Sequence, residues 1–225
     1  MYWKKDHYSY SKLWCYLKDP QEYYRNYVLK QKDPPSAPMI LGRMFSDIYS
    51  SYNDKTKEMK AEGIKCTLSD LILNPKKFYK DTPDNIYLRP DKIQIIERAM
   101  VDKNLYRLPP KYCEQSVFVQ GKICGLGAKH DGRITKAGKT LIVENKFGNP
   151  WTEERANEED QITFYAYCDY LLTGIIPTVR VQSVNGKTGN VLAFTVRKTK
   201  KAFSPLEDKI EFAFKGITNE VYEKI

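Results

Sequence analysis

Residues 117–148 decide the fold, and they read V-F-V-Q-G-K-I-C-G-L-G-A-K-H-D-G-R-I-T-K-A-G-K-T-L-I-V-E-N-K-F-G. The part that ends at Ile134 shows alternation and many β-branched residues, which predicts a meander of strands. The run from Thr140 to Val143 is continuous and mostly apolar. Such a run is expected of a strand that is buried on both faces of a sheet.

Polar residues that can hold a divalent metal interrupt this pattern. Asp131 follows a glycine-rich approach and precedes Gly132, while Glu144 and Lys146 follow the apolar run. Side chains alternate along a strand, so residues 144 and 146 point to the same face. Carboxylate and carbonyl oxygens are the ligands that Mg²⁺ and Mn²⁺ prefer, and the carbonyl of Asn145 adds a third to the two acids. The pattern therefore predicts a metal site with a lysine beside it.

A helix is predicted over Trp151 to Tyr170, after Asn149-Pro150 and with acidic residues in its first part. Gln161 and Tyr165 stand four residues apart, so they share one helical face and are predicted to contact a phosphate or a base. Glu114 opens the meander and can add a carboxylate. Each feature alone is weak, because an acid-x-Lys pair on a strand is usually solvated and Asp-Gly usually marks a turn. Their order and apolar context together favour a site for phosphodiester hydrolysis.

The residues before this stretch predict helices. A serine near residue 9 can cap one helix, and Pro20 suits the first turn of a second. A spacing of four predicts another helix through Ile40, Met44, Ile48 and Tyr52. Residues 53–110, which include a short helix near Thr67 and another from Asp91 to Leu105, are interpreted as a helical insertion or cap.

After the central stretch, the pattern predicts a hairpin and a last helix. Asn185-Gly186 separates two strand-like runs, and Asn-Gly is the strongest short hairpin signal. Pro205 to Ile225 is predicted as an amphipathic helix that closes the fold, with one apolar side made by Leu206, Ile210, Phe214, Ile217 and Val221.

The overall charge favours an anionic partner. The 225 residues suit one large domain or at most two small ones, and they carry a net charge of +9 with a pI of about 9.1. Nucleic acid is the simplest such partner. Basic residues follow the last predicted strand and are predicted to contact phosphates: Arg197, Lys198, Lys200 and Lys201. The alternative is that they form a solvated charge run.

Cysteine usage and the first residues exclude several classes of protein. The five cysteines, at positions 15, 66, 113, 124 and 168, show no C-x-x-C spacing, which argues against a zinc site, an iron–sulfur cluster or a disulfide framework. The start, M-Y-W-K-K-D-H-Y, has no apolar segment of the kind found in a signal peptide, and no stretch is long enough to span a bilayer. The sequence predicts a cytoplasmic protein without membrane association, in the host cytoplasm if a phage encodes it.

These residues resemble the PD-(D/E)XK nuclease superfamily, in its RecB-like and phage-exonuclease branch. G-A-K-H-D-G-R-I is similar to the family's Gly-x-x-Asp step, L-I-V-E-N-K-F-G to its acid-x-Lys strand, and Q-I-T-F-Y to its Gln-x-x-x-Tyr helix. The segments S-Y-S-K-L-W-C-Y-L-K-D-P-Q-E-Y-Y-R-N-Y, I-L-G-R-M-F-S-D-I-Y and R-K-T-K-K-A-F-S-P-L resemble further family segments. The resemblance covers most of the chain except residues 53–110.

The resemblance implies an α/β fold in which helices flank a central mixed β-sheet, a restriction-endonuclease-like core with a helical N-terminal part. It implies that Asp131 and Glu144 are metal ligands, that Lys146 is the catalytic lysine, and that Gln161 and Tyr165 support the active site and the DNA. Glu114 matches an acid that several branches place near the metal.

One departure from the family concerns a histidine. Many RecB-like members have His after Gly-x-x-x, where this chain has Ser46 followed by Asp47. The resemblance therefore leaves open whether a metal ligand is missing or Asp47 takes its place.

The resulting hypothesis is a Mg²⁺- or Mn²⁺-dependent deoxyribonuclease. Within it, the preferred interpretation is an exonuclease of the type that acts in phage DNA recombination, repair or genome processing. One domain over residues 1–225 is expected, with a helical region and insertion at about 1–112 and a catalytic core at about 113–225. The sequence has no helicase P-loop, so movement along DNA would require a recombination or helicase partner or a ring-shaped arrangement around the DNA. The alternatives are an endonuclease on the same fold and a nucleic-acid-binding or nuclease-inhibiting module without catalysis.

Overall fold

The computed structural model describes residues 7–34, 36, 38–46, 48–50 and 90–222. The expectations for Asp47, Tyr52 and the segment 53–89 concern residues outside these ranges. Within them, a short strand β1 (His7–Ser9) leads into α1 (Tyr10–Lys18) and α2 (Pro20–Tyr23), which a π-helical turn over Tyr24–Val28 extends. Residues 38–46 and 48–50 are helical and are called α3.

The rest of the described chain contains five strands and four helices. Its elements are α4 (Pro90–Val101), β2 (Cys113–Gln120), β3 (Gly125–Lys136), β4 (Lys139–Gly148), α5 (Glu153–Glu158), α6 (Asp160–Thr173), β5 (Thr178–Asn185), β6 (Val191–Arg197) and α7 (Phe203–Thr218). Single 3₁₀ turns precede β2 at Pro110–Tyr112 and α7 at Lys200–Ala202.

The strands form one mixed six-stranded sheet in the order β1-β3-β4-β5-β6, with β2 on the other side of β3. The pairs β2–β3, β3–β4 and β5–β6 are antiparallel, whereas β1–β3 and β4–β5 are parallel. The predicted meander and the predicted α/β class with a central mixed sheet are both confirmed.

Helices cover both faces of this sheet. On one face, α1, α6 and α7 bury a core that includes Leu13, Ile142, Phe164 and Ile210. On the opposite face, α3 and α4 pack on a second core that includes Phe45 and Val143. The central strand β4 contributes to both cores, and Ile142 and Val143 are fully buried. This is why its sequence is apolar at successive positions.

Local sequence signals explain the N-terminal helices. The Ser9 side chain accepts a hydrogen bond from the backbone N–H of Lys12 and caps α1. Asp19 caps α2 in the same way, and Pro20 is its first residue. Long-range contacts then fix this region: β1 pairs with residues 125–127 of β3, and the Tyr16 hydroxyl donates to the carbonyl of Val221 at 2.6 Å.

Three predicted elements have different limits in the structure. The helix predicted over 151–170 is two helices, because Glu159 adopts an extended conformation between α5 and α6. The last helix begins earlier, at Phe203, and ends at Thr218, so Val221 lies beyond it and is exposed. The helix predicted from Asp91 to Leu105 ends at Val101, although Leu105 is still buried.

The hairpin between β5 and β6 is confirmed, but its turn is not a two-residue Asn-Gly turn. Five residues, 186–190, connect the strands, and the backbone N–H of Asn185 donates to the carbonyl of Asn190. Gly189, with φ of 80°, takes the left-handed conformation that favours glycine.

Candidate active site

The candidate site lies where β3 and β4 separate. Their pairing runs from Lys136–Lys139 at the turn to Gly132–Val143, and beyond it β4 continues to pair with β5. Asp131 is the first β3 residue past this fork. Its Oδ2 accepts a hydrogen bond of 2.7 Å from the backbone N–H of Asn145. This hydrogen bond therefore connects the two separating strands at the position of the predicted acid.

The side-chain alternation of β3 shifts by one residue at this point. His130 Nε2 lies 3.5 Å from Asp169 Oδ2, and Arg133 donates to both oxygens of Asp169 at 2.8 and 3.0 Å. Strict alternation would place residues 130 and 133 on opposite faces of the sheet. Beside the shift, Glu114 has a φ of 53°, which is unusual for a residue other than glycine. Such irregularities aim side chains away from the regular pattern, and they occur often beside active sites.

Gly132 fits into the same tightly packed region. A Cβ atom there would collide with the side chain of Leu108 and press on that of Val143. The glycine after Asp131 thus reflects close packing in the second core.

Lys146 is the centre of a hydrogen-bonded cluster at the fork. Its ammonium donates to Glu144 Oε1 at 2.8 Å and also to Gln161 Oε1. The Gln161 amide nitrogen donates to the Tyr165 hydroxyl at 2.8 Å and to Glu144 Oε1 at 3.3 Å. The predicted strand face and the predicted helix face therefore meet, and Gln161 orients Lys146, Glu144 and Tyr165 together.

The two carboxyl groups are held in an environment that disfavours their charge. Burial, with the neighbouring charge of Glu144, raises the pKa of Asp131 to about 8, although the Asn145 N–H and Lys146 oppose this shift. Burial also raises the pKa of Glu144 above its usual value, against the effect of Lys146. Two buried acids with raised pKa values favour either a proton or a cation between them.

The donor set at the fork fits a hard divalent cation. Glu144 Oε2 is buried and has no hydrogen-bond partner among the described residues, so a carboxylate oxygen is available. The backbone N–H of Asn145 points at Asp131, and the N–H and C=O of one strand residue face the same side, so its carbonyl faces the fork too. All of these donors are oxygens, as Mg²⁺ and Mn²⁺ require.

The expected fourth ligand, Glu114, is engaged elsewhere in this structure. Its carboxylate pairs with Lys129 and lies 3.5 Å from the Ser46 hydroxyl. In the described ranges, no three His, Cys, Asp or Glu side chains are arranged to hold a metal ion. The fit therefore rests on Asp131, Glu144 and a backbone carbonyl. Asp47 lies outside the described residues.

A second polar layer, made by His130, Arg133 and Asp169, packs against Tyr165 of the cluster. The sequence did not reveal it. The His130 ring meets the Tyr165 ring edge to face at 4.9 Å. Burial opposes ionisation of Asp169, but the nearby His130 ring and the hydrogen bonds from Arg133 outweigh burial and lower its pKa. No spacing signal in the sequence links Arg133 with Asp169, because they are 36 residues apart.

The sequence also did not indicate the role of Trp151 and Arg155. The Trp151 ring lies 5.2 Å from Lys146 Nζ and 4.4 Å from the Arg155 guanidinium carbon. Its backbone N–H donates to Ser183 Oγ at 2.8 Å, and Ser183 is the β5 partner of Lys146. An aromatic ring and an exposed arginine thus border the cluster.

The predicted basic residues do not join this cluster. Arg197 pairs with Thr178, which is aligned with Leu141, five positions before Lys146 on β4. At about 3.3 Å per residue, this is about 16 Å along the strand. Lys198 donates to the carbonyl of Asn157, and Lys200 lies 5.2 Å above the Tyr170 ring. The structure brings together Asp131, Glu144, Asn145, Lys146, Gln161 and Tyr165, whereas Arg197, Lys198 and Lys200 contact other residues.

Comparison with known proteins identifies a shared fold. A crystal structure of a protein from Eubacterium rectale, named "Putative exonuclease", aligns with 94% of this chain and 80% of its own, with a TM-score of 0.59 and 12% identity. A second solved structure, of SSO0001, covers 90% of this chain and 82% of its own at 13% identity, but its TM-score of 0.28 is too low to indicate a shared fold. No family model and no curated protein matches the sequence.

The helices of the fold are short or carry charged residues. Among the described residues, none is both long enough and apolar enough to cross a bilayer.

Proposed function

We propose that this protein is a nuclease of the PD-(D/E)XK superfamily that hydrolyses DNA phosphodiester bonds with Mg²⁺ or Mn²⁺. The observation that carries the proposal is the cluster in which Lys146 donates to Glu144 and Gln161, beside Asp131 at the fork. An acid-x-Lys strand, a second acid and a Gln-x-x-x-Tyr helix meet there in three dimensions, as the resemblance implies.

The cation would be held by Asp131, Glu144 and the carbonyl of Asn145. When bound, it supplies positive charge against the phosphate and activates water. Glu114 remains a proposed fourth ligand. In this structure its carboxylate pairs with Lys129, and its charge also raises the pKa of Asp131.

Lys146 has the freedom to act on the substrate. An ammonium carries three N–H donors, and Glu144 and Gln161 accept two of them. The third is free to donate to a phosphate oxygen or to the attacking water, and the side chain is 18% exposed. Because Gln161 holds the ammonium in place before substrate arrives, no free energy is needed to orient it during the reaction.

Gln161 and Tyr165 are proposed to position this group and to contact the DNA, and Arg197, Lys198 and Lys200 to attract the DNA backbone from farther away. The name of the Eubacterium rectale structure supports an exonuclease over an endonuclease. A recombination or helicase partner is part of the same hypothesis.

The test uses end-labelled single-stranded DNA, linear duplex and closed circular DNA, each with Mg²⁺, with Mn²⁺ and with EDTA. We expect metal-dependent loss of the linear substrates and an intact circle. Cleavage of the circle would favour the endonuclease. Binding of DNA with no cleavage under any metal condition would favour the non-catalytic module, and full activity in EDTA would contradict the proposal.

A further inference from the structure

Arg155 is placed next to the proposed active site by a short and well-defined segment. It lies in the first turn of α5, where its backbone N–H donates to the capping hydroxyl of Thr152 at 3.1 Å. Its guanidinium carbon is 4.4 Å from the centre of the Trp151 ring, and the same ring centre is 5.2 Å from Lys146 Nζ. The two cations can therefore be no farther apart than these two distances added together.

The position of this guanidinium is not what local charge predicts. Glu158 and Glu159 follow Arg155 at three and four residues, the spacing at which ion pairs form on a helix. In the described part of the chain, however, Arg155 makes no salt bridge with either acid. Glu159 instead accepts a hydrogen bond of 3.1 Å from the Tyr10 hydroxyl. Arg155 turns back towards Trp151, four residues earlier.

Contact with Trp151 places the guanidinium over the ring and leaves its donors available. A guanidinium that lies over an aromatic ring is attracted by the ring's face, while its N–H groups stay in the guanidinium plane. In the described residues, no side-chain hydrogen bond uses these donors, and Arg155 is exposed. A planar set of free donors beside Lys146 matches a phosphate, which arginine binds with two parallel hydrogen bonds.

We infer that Arg155 is a substrate-binding residue, and that it holds a backbone phosphate adjacent to the one that Lys146 faces. This inference rests on the proposed nuclease function and extends it to a specific contact. Trp151 serves as the platform, because its hydrogen bond to Ser183 ties it to the strand residue next to Lys146. A strand of DNA whose scissile phosphate lies at the fork thus passes α5 on the side of Arg155.

The experiment compares Arg155→Met with the unchanged protein. Methionine keeps an apolar chain over Trp151 and removes the charge and the donors. Binding of a labelled single-stranded oligonucleotide is measured in EDTA, which prevents cleavage, over a series of salt concentrations. We expect affinity to fall about tenfold and the salt slope to decrease by about 0.7, the contribution of one neutralised phosphate. Melting temperature and Mn²⁺ affinity should stay unchanged.

Two further variants separate a phosphate contact from a structural role. Arg155→Lys keeps the charge but loses the planar donors. The salt dependence of DNA binding should therefore equal that of the unchanged protein, whereas the affinity should lie between those of Arg155→Met and the unchanged protein. Lys32→Met is the matched control, since Lys32 is an exposed cation 5.0 Å above the Tyr27 ring in the N-terminal part. It should bind DNA like the unchanged protein.

The outcomes distinguish this inference from the function on which it rests. If the unchanged protein binds and cleaves DNA while Arg155→Met keeps the same affinity and salt slope, the inference alone is overturned. The same applies if Arg155→Met weakens binding only in proportion to a lower melting temperature. If the unchanged protein neither binds nor cleaves DNA, both proposals are overturned.

Discussion

The two ends of the β4–β5 pair hold charge in different ways. At the fork, Glu144 is only 4% exposed, and its Oε1 accepts hydrogen bonds from Lys146 and Gln161. At the other end, Lys139 and Arg197 are exposed and, together with Lys198, border an open pocket of about 320 Å³ that, among the described residues, no acidic side chain lines. One end fixes opposite charges in a buried cluster, and the other presents positive charge to solvent.

This difference separates two physical tasks. A buried charge with fixed partners is oriented to within a fraction of an ångström, which suits a chemical step. An exposed cation acts over longer distances, but its effect is screened by salt, which suits attraction of a polyanion. The prediction that Arg197, Lys198 and Lys200 contact DNA therefore concerns capture of the substrate and is independent of the cluster at the fork.

The largest effect is expected from the lysine at the fork. Lys146→Ala should lower the cleavage rate at least a hundredfold, or about 2.7 kcal/mol, because it removes a fixed donor that faces the developing charge. Lys139→Ala, at the other end of β4, is the control and should keep its rate at saturating DNA. The measurement is single-turnover cleavage with Mn²⁺. Equal rates in the two variants would remove the distinction between the two ends.

A smaller effect is expected from the glutamine that orients the lysine. Gln161→Ala removes the oxygen that accepts from Lys146 and the nitrogen that donates to Glu144 and Tyr165. We expect a loss of rate of about tenfold, near 1.4 kcal/mol. Tyr165→Phe removes only the hydroxyl and should lose less. A greater loss in Tyr165→Phe than in Gln161→Ala would contradict the central position of Gln161.

The third prediction concerns pH and the metal-free protein. The folded-state pKa of Asp131, about 8, lies above its ordinary value of 3.8, so the folded state holds this proton more tightly than the unfolded chain. The binding of this proton therefore adds to the free energy of unfolding below pH 4. This contribution is lost as pH rises towards 8, with a slope of at most about 1.4 kcal/mol per pH unit. Asp131→Asn removes this titration and should raise the melting temperature at pH 8 but hardly at pH 4.

Thermal melts in EDTA at several pH values check this sign. Asp208→Asn, which changes an exposed acid on α7, is the control. Mn²⁺ should stabilise the unchanged protein more at pH 8 than at pH 5, because the cation competes with the proton. An Asp131→Asn variant that is less stable than the unchanged protein at pH 8 in EDTA would show that the carboxylate is favourable without metal.

The smallest effect is expected at the exposed end. Arg197→Ala with Lys198→Ala should weaken DNA binding a few-fold at low salt and reduce the salt slope, by about 0.7–0.9 for each phosphate that is no longer neutralised. The cleavage rate at saturating DNA should not change, since Arg197 is about 16 Å from Lys146 along the strand and the Lys198 ammonium donates to the carbonyl of Asn157 instead of joining the cluster. A change in rate without a change in salt slope would place them in the chemical step instead.

What the sequence could predict depends on how locally each feature is determined. The run from Thr140 to Lys146 predicts both a central strand and the common face of Glu144 and Lys146, because both follow from strand periodicity. The spacing of Gln161 and Tyr165 predicts their common face for the same reason. That these two faces meet agrees with the resemblance, but no local pattern requires it.

The remaining features depend on contacts between distant residues. The extended conformation of Glu159 divides the predicted helix, but no glycine or proline nearby predicts this break. The shift in alternation at Asp131 depends on the fork and on the partner strand residue Glu114. The position of Arg155 on Trp151 contradicts the ion pairs that its neighbours offer. In each case tertiary packing outweighs the local preference.

The pairing of β1 with β3 has a consequence for synthesis of the chain. His7–Ser9 are held by residues 125–127, and α1 is held by a hydrogen bond from Tyr16 to Val221, 205 residues later. Contacts between residues so far apart in sequence form slowly. During translation α1 is therefore made long before its partners, and its apolar face is not fully covered until α6, α7 and Val221 have been made. Apolar surface that is exposed in this way during synthesis is prone to aggregation until its partners cover it.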